Sequence, residues 1–287
     1  MKFTTYLRNG APRLALVDGK DLIDLNDANA DTPADLRLAL KAGTDLQAAG
    51  RAALKEGKRQ ALASAKLAPL VPEPGKIICL GLNYYDHAKE GGREKPEYPW
   101  FFFRAASSLV ADGEAGWAPQ VSTKFDYEAE LAVVIGKTVP RHTKEADALQ
   151  YVFGYSCFND MSVRDYQKRT PQWTIGKNFD RTGGFGPHLV TADELAPGAT
   201  GLRIRSLLNG QVMQDANTSD MIFSTAETIA LLADVLTLEP GDVIVMGTPA
   251  GVGQARTPPV WMKAGDTIEI DIEKVGTLRN PIANEGQ

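Results

Sequence analysis

The sequence has 287 residues and a net charge of −5, and 43% of its residues are hydrophobic and 23% charged. A negative chain offers no basic surface of the kind that binds nucleic acid. No stretch approaches the roughly 20 apolar residues of a membrane span, and the first residues lack the apolar core of a signal peptide. We therefore expect a globular cytoplasmic protein without nucleic-acid or membrane partners.

Cysteine and histidine usage limits the possible metal sites. Cys79 and Cys157 lie in apolar runs and have no metal-ligand spacing, so we expect them to be reduced core residues. Three histidines are too few for a histidine-rich metal site.

The first 65 residues predict three short strands followed by two helices. Asn-Gly and Asp-Gly turn signals, at residues 9–10 and 18–19, divide residues 1–25 into the strands. The alanine-rich patterns at residues 33–43 and 45–65 predict the helices.

A proline cluster follows these elements. Pro69, Pro72 and Pro74 fall within ten residues and make the best candidate linker of the chain. We therefore predict a small N-terminal domain over residues 1–70 and a catalytic domain over residues 71–287.

The second predicted domain contains more strands than helices. The helices do not alternate regularly with the strands, which argues against a doubly wound fold. We predict an α+β, β-rich domain with mixed strand pairing, a curled sheet or barrel. The predicted strands cover residues 76–82, 98–104, 128–136, 152–160, 188–191, 202–210, 241–247 and 266–273, and helical patterns occur at residues 84–90, 144–152 and 224–236.

Two carboxylates stand at the start of an apolar strand pattern. Glu128 and Glu130 are two residues apart, so in a strand they point to one face. Such a pair stays ionised when a hard cation sits between its members, which suggests Mg²⁺, Mn²⁺ or Ca²⁺. Asp160, at the end of another apolar strand, is the candidate third ligand, and Asp126 is a candidate supporting residue. The alternative is that both glutamates face solvent at a strand end.

Two further pairs have the i, i+3 spacing that places side chains on one helix face. His87 and Glu90 form the first pair, and a histidine oriented by a carboxylate is a known general-base arrangement. Arg164 and Gln167 form the second, and an arginine fork suits a substrate carboxylate. The alternatives are a surface helix pair for the first and a surface ion pair of Arg164 with Asp165 for the second.

A glycine-rich loop follows a predicted strand at residues 246–253, and it includes Thr248. Its backbone can approach a ligand, but the loop has no nucleotide-binding signature. The chain also lacks the G-x-S-x-G elbow of serine hydrolases. Lys177 is either a charge near an anionic substrate or a surface lysine.

These segments, in this order, resemble the fumarylacetoacetate hydrolase family. The resemblance spans residues 76–282, while residues 1–70 loosely resemble the small N-terminal domain of many members. It implies a mixed β-roll fold and a homodimer. The matching segments are KIICLGLNYYDHAKE, DYEAELAVVIGK, GYSCFNDMSVRDYQ, WTIGKNFD, GPHLVT, LEPGDVIVMGTPAGVG and GTLRNP.

The resemblance also implies a role for each candidate site residue. The metal, usually Mg²⁺, would be held by three carboxylates, and a His-Glu dyad would activate water beside a lysine near the developing enolate. The implied metal ligands are Glu128, Glu130 and Asp160, the implied catalytic residues His87, Glu90 and Lys177, and the implied substrate contacts Arg164, Gln167 and Thr248.

The chain departs from the family pattern at three places, one of which is the glycine-rich stretch at residues 181–187, where relatives vary. Arg104-Ala105 stands where many members have Lys-Pro, and His188 stands where Trp is common. We interpret His188 as a packing residue. The segment at residues 91–97 combines glycines, charges and a proline, and we predict that it is a mobile lid. We expect the rest of the substrate pocket to come from residues 91–100 and from the N-terminal region.

The implied reaction is metal-dependent hydrolysis of a C–C bond in an acylpyruvate or fumarylpyruvate-like 2,4-dioxo acid, through a stabilised enolate. The same site would also support isomerisation or tautomerisation of an unsaturated 2-oxo diacid, such as 2-hydroxyhepta-2,4-diene-1,7-dioate, or decarboxylation of oxaloacetate. The His-Glu dyad favours hydrolysis. A non-catalytic, metal-stabilised binding protein is the alternative of a different class.

Overall fold

The computed structural model describes residues 1–287. The eight α-helices are α1 (Leu25–Ala28), α2 (Leu36–Lys41), α3 (Leu46–Glu56), α4 (Tyr85–Glu90), α5 (Glu145–Ala148), α6 (Arg164–Gln167), α7 (Thr174–Lys177) and α8 (Thr225–Ala233). The first strands are β1 (Lys2–Arg8), β2 (Ala11–Asp18), β3 (Asp21–Asp24), β4 (Arg59–Ala61), β5 (Ile77–Gly81), β6 (Trp100–Arg104), β7 (Leu109–Val110), β8 (Gly116–Ala118) and β9 (Phe125–Asp126). The others are β10 (Ala129–Ile135), β11 (Val152–Asp160), β12 (Ser162–Val163), β13 (Gly183–Thr191), β14 (Arg203–Leu208), β15 (Gln211–Asn217), β16 (Val243–Val245), β17 (Thr267–Ile272) and β18 (Gly276–Asn284).

The strands form three sheets. The largest has the order β4-β3-β2-β1-β13-β11-β10-β16-β5-β6, with β7 paired to β13. A five-stranded sheet has the order β15-β14-β17-β18-β8, and β9 pairs with β12. The pairing is mixed, since β16 and β5 run parallel while most neighbours run antiparallel. The predicted β-rich α+β fold is confirmed, but the sheets stay open and the barrel alternative is wrong.

Strand β10 is buried on both faces, which makes it the centre of the fold. Leu131, Val133 and Ile135 pack into a core that also includes residues of β14, β17 and α8. Ala132 and Val134 pack into a second core, which includes residues of the N-terminal strands and helices. A continuous run of apolar and β-branched residues suits such a position, because neither face meets water. The strand therefore provides a rigid support for the glutamate that it carries.

The N-terminal helices begin where their sequence signals predict. The side chain of Asp35 accepts a hydrogen bond from a backbone N–H of α2, and Asp45 does the same for α3. Helix α3 ends at Glu56, well before the predicted residue 65. A Cβ atom at Gly57 would lie 2.2 Å from Ile23 Cγ2, so the chain turns closely over β3 there. The following residues then pair with β3 as strand β4.

The N-terminal strands continue the large sheet. Phe3 of β1 pairs with Leu189 of β13, and residues of both regions share one apolar core. The division of the chain at residue 70 stays a prediction. None of the helices has the length and apolar character needed to cross a bilayer.

We predict that His188 makes the free energy of unfolding of the protein depend on pH. Its Nε2 donates to the Val275 carbonyl over 2.7 Å, and burial together with the charge of Lys2 lowers its pKa to about 4. In the unfolded chain this histidine binds a proton near its usual pKa of about 6.5, whereas in the folded chain it does so only near pH 4. The contribution of the neutral His188 to the free energy of unfolding is therefore complete above about pH 6.5. It is lost as the pH falls towards 4, by about 3 kcal/mol in total.

We expect His188→Gln to remove most of this acid loss. Denaturant unfolding at about pH 7.5 and about pH 4.5 measures the difference in the free energy of unfolding between the two conditions. His142→Gln is the control, because that side chain is 72% exposed. Equal acid losses in wild type and His188→Gln would contradict the prediction.

Candidate active site

The pairing of β10 with β11 brings the three predicted metal ligands together. Ala129 lies opposite Asn159, and the Asp160 N–H donates to the Glu128 carbonyl over 3.0 Å. Asp160 therefore stands opposite Glu128, and paired residues share a face of the sheet. Glu130 shares the same face because it follows Glu128 by two residues.

The three carboxylates form a buried cluster. One oxygen atom of each lies within 4.8 Å of the others. Their exposed fractions are 5% for Glu128, 1% for Glu130 and 0% for Asp160. Oxygen ligands lie about 2.0–2.6 Å from Mg²⁺ or Ca²⁺, so the spacing suits a shared cation. The donor set fits a hard divalent ion.

Three basic side chains surround the triad. Lys177 Nζ donates to Glu128 Oε2 over 2.5 Å and to Asp160 Oδ2 over 2.6 Å. Arg164 Nη2 lies 2.7 Å from Glu128 Oε1, and Arg104 pairs with Asp160 Oδ1. These contacts offset much of the negative charge that burial would otherwise make costly.

The two glutamates have opposite pKa shifts. Burial favours the neutral form of Glu128, but the charges of Arg164 and Lys177 outweigh it and lower the pKa to about 2. Burial and the nearby carboxylates of Asp160 and Glu128 raise the pKa of Glu130 well above its usual value. The basic side chains therefore do not neutralise the whole cluster. A cation that contacts Glu130 would relieve the remaining repulsion.

The predicted dyad lies on helix α4, immediately after β5. His87 Nδ1 is 3.2 Å from Glu90 Oε2, as the i, i+3 spacing requires. Glu90 Oε1 accepts a hydrogen bond from the Gly251 N–H over 2.9 Å. The glycine-rich loop thus fixes the carboxylate that orients the imidazole.

The glycine-rich loop is held by two buried polar side chains. Gln214 donates to Thr248 Oγ1 over 2.8 Å. Asp126 accepts from the backbone N–H groups of Gly253 and Gln254, over 2.7 and 3.0 Å. Asp126 lies outside the triad and ties this loop to the start of β10.

Arg164 does not form the surface ion pair with Asp165 that was the alternative expectation, and its partners are buried side chains. Its Nε donates to Asp126 over 2.8 Å, and its Nη1 donates to Gln167 Oε1 over 3.0 Å. With its contact to Glu128, the guanidinium is buried in a network of three side chains. Asp165 instead accepts a hydrogen bond from Ser122. The ion pair between Arg164 and Asp165 is therefore not formed.

These side chains meet in one cavity of about 740 Å³. Eight of the nine predicted site residues line it, and Asp160 contacts it through Lys177. No residue before Leu80 lines the cavity, so the expected contribution of the N-terminal region is wrong. Residues 167–171 line the cavity instead, because helix α6 leads from the triad to the rim of the cavity. The segment at residues 91–97 contributes Gly91 and Arg93, and its role as a mobile lid stays a prediction.

An aromatic wall runs from the triad to the rim of the cavity. Lys177 Nζ lies 5.1 Å from the centre of the Phe102 ring, and Phe102 packs edge-on against Trp173. Trp173 stacks on Trp100 at 5.4 Å, and the Arg93 guanidinium lies 4.9 Å from the Trp100 ring centre. All five of these residues line the cavity.

Sequence reasoning gave no role to Arg104, which is 4% exposed. Its guanidinium contacts Asp160 and donates to Thr182 Oγ1 over 2.9 Å and to Ser108 Oγ over 3.3 Å. The only signal in the sequence was that an arginine ends an apolar strand pattern where many family members have lysine. Thr182 and Ser108 hold the Arg104 guanidinium in place, and the guanidinium in turn orients the Asp160 carboxylate.

Comparisons with known proteins identify relatives that are similar over most of the chain. The oxaloacetate tautomerase fahd2, mitochondrial, of Xenopus laevis is 40% identical over 274 residues, covering 94% of this chain and 85% of the relative. The oxaloacetate tautomerase YisK of Bacillus subtilis is 44% identical over 225 residues, covering 77% of this chain and 74% of the relative. The crystal structure of maleylpyruvate hydrolase from Sphingobium sp. SYK-6 in complex with manganese(II) and pyruvate has a TM-score of 0.83 and 31% identity, covering 100% of both chains.

The family model supports the same assignment. The model described as fumarylacetoacetate (FAA) hydrolase C-terminal matches residues 76–283, which include every residue of the site. The order of the motifs, the buried triad and the similarity of the fold all agree with that match. The chain belongs to the fumarylacetoacetate hydrolase family.

Proposed function

We propose that this chain catalyses the keto–enol tautomerisation of oxaloacetate or of a closely related 2-oxo diacid. The observation that carries the proposal is the buried carboxylate triad at one end of a cavity that also contains the His87–Glu90 dyad. Two relatives of high coverage that are named oxaloacetate tautomerases support this reaction over the hydrolysis expected from the sequence.

The residues of the cavity have separate roles in this reaction. A divalent cation held by the triad would act as a Lewis acid towards the 2-oxo oxygen. His87, whose Nδ1 is held by Glu90, presents Nε2 to exchange a proton at C3. One proton leaves C3 and one is added to the oxygen at C2, so no water is consumed. Lys168 and Arg169 at the rim offer positive charge to the distal carboxylate.

Hydrolysis of an acylpyruvate is the second candidate. The same histidine, oriented by Glu90, that would exchange a proton at C3 would equally activate a water molecule. The similarity to a maleylpyruvate hydrolase supports this alternative. The two reactions differ in whether water is consumed and a C–C bond is broken, so products distinguish them.

A substrate panel on the metal-loaded protein tests the proposal. We expect added protein to accelerate the loss of the ultraviolet absorbance of enol-oxaloacetate in proportion to its concentration. We expect no release of pyruvate, which would indicate decarboxylation, and no cleavage of acetylpyruvate. EDTA should abolish the acceleration. Cleavage of acetylpyruvate faster than ketonisation would support the hydrolase instead, and no effect on any substrate would reject both.

The cation, the oligomeric state and the location are further parts of the proposal. Mg²⁺ is the expected cation, with Mn²⁺ or Ca²⁺ as alternatives, and the manganese in the Sphingobium structure supports a divalent ion. A homodimer is supported by the edge strand β6, where Trp100 and Phe103 are 44% and 49% exposed. Light scattering on the purified chain tests the dimer, and cell fractionation tests the cytoplasmic location.

A further inference from the structure

The carboxylate oxygens of the triad are almost all engaged by the chain itself. Glu128 and Asp160 each contact a guanidinium with one oxygen and the Lys177 ammonium with the other. Glu130 Oε2 accepts from the Gly247 N–H over 2.6 Å. Glu130 Oε1 is the one triad oxygen that no hydrogen bond or ion pair joins to another residue. A cation that takes one oxygen from each carboxylate must therefore compete with groups of the protein.

Lys177 joins two of the three carboxylates that would hold such a cation. Its Nζ joins Glu128 Oε2 to Asp160 Oδ2 at 2.5 and 2.6 Å, and the side chain is 3% exposed. An ammonium and a divalent cation that share these two oxygens would repel each other strongly, because both are positive and close together in a buried site. Binding of a cation through these oxygens would therefore weaken the Lys177 contacts.

Lys177 is also less firmly anchored than the two arginines. Arg164 is fixed by Asp126 and Gln167 as well as by Glu128. Arg104 is held by Thr182 and Ser108 as well as by Asp160. The Lys177 ammonium donates only to the two triad carboxylates, and its flexible stem starts from the short helix α7. Apart from its 5.1 Å approach to the Phe102 ring centre, the ammonium has no further contact to lose when it moves.

We propose that Lys177 and the divalent cation exchange at this site. Without the cation, the ammonium joins Glu128 to Asp160 and keeps the triad compact. When the cation binds, the ammonium leaves at least one of these carboxylates and remains at the wall of the cavity, where an anionic substrate group is its next partner. This exchange is independent of whether the enzyme tautomerises or hydrolyses its substrate.

The test measures Mn²⁺ binding to the EDTA-treated full chain by titration calorimetry. Removal of the competing ammonium in Lys177→Met should tighten Mn²⁺ binding by about tenfold or more. The matched control is Lys168→Met, which removes the same charge from the same cavity but no triad contact. Its affinity should stay within about threefold of wild type.

Thermal unfolding gives a second readout. Metal-free Lys177→Met should unfold at a lower temperature than wild type, because two buried carboxylates each lose one of their two basic partners. Saturating Mn²⁺ should stabilise this variant more than it stabilises wild type. Lys177→Gln, which is neutral but keeps hydrogen-bond donors, replaces the methionine variant if that variant does not fold. Mn²⁺ binding to the Lys177 variants that is equal to or weaker than binding to wild type would overturn the proposal, and so would equal tightening by Lys168→Met.

Discussion

Replacing Glu130 by glutamine is expected to lower kcat/KM of the metal-loaded protein by about 10³-fold. Glu130 is the triad member whose Oε1 has no partner in the protein, so it can bind a cation without losing a hydrogen bond or an ion pair. The amide keeps the shape of the side chain and can still accept from the Gly247 N–H. It loses the negative charge that attracts the cation. Steady-state kinetics measure the loss of kcat/KM, and Mn²⁺ titration measures the weaker binding of the cation.

The stability of Glu130→Gln separates loss of the cation from loss of the fold. Burial and two neighbouring carboxylates disfavour a charge at this position. We therefore expect the metal-free variant to be at least as stable as metal-free wild type. Glu56→Gln, on an exposed position of α3, is the control for the chemical change. Turnover within about threefold of wild type would mean that Glu130 does not support the cation.

The sequence carries the ligand types of this site but only part of its geometry. Glu128 and Glu130 share a face because the side-chain period of a strand is two, and this follows from their spacing alone. The position of Asp160 opposite Glu128 depends on the register between β10 and β11. Residues 136–151 separate these strands, and no short-range signal sets their register. The place of Asp160 at a strand end therefore suggests that it joins the pair, but only the folded sheet establishes it.

Long-range charge contacts explain what the sequence missed. Arg104 and Asp160 are 56 positions apart, and Arg164 and Asp126 are 38 apart. An arginine at the end of a strand gives no local sign of its partner. The nearest acid to Arg164 along the chain is Asp165, which made a surface pair the simplest alternative. In the fold, strands β9 and β12 pair and bring Asp126 beside Arg164 instead.

The N-terminal region shows a second limit of local patterns. Alanine-rich residues continue beyond Gly57, so the periodicity predicts a helix to residue 65. The close approach of Gly57 to Ile23 and the pairing of β4 with β3 end the helix earlier. Tertiary packing thus overrides a weak helical preference, which helix propensity alone does not predict.

His87→Asn is expected to lower kcat for ketonisation by about 10²–10⁴-fold, the usual contribution of a positioned acid–base group. Asparagine can occupy the space and still donate to Glu90, but it cannot exchange a proton near neutral pH. No hydrogen bond or ion pair joins His87 to a triad oxygen, so Mn²⁺ affinity should stay within about threefold of wild type. Loss of turnover with retained binding would place His87 in the proton transfer.

The control and the substrate comparison make this result specific. His142→Asn changes a histidine that is 72% exposed and paired only with the surface residue Asp234, and it should leave turnover unchanged. Glu90→Gln should lower turnover less than His87→Asn, because Glu90 orients the imidazole and does not itself exchange the proton. Intact ketonisation in His87→Asn would contradict a role for His87 in the proton transfer. If the same variant loses acylpyruvate cleavage, the dyad activates water instead.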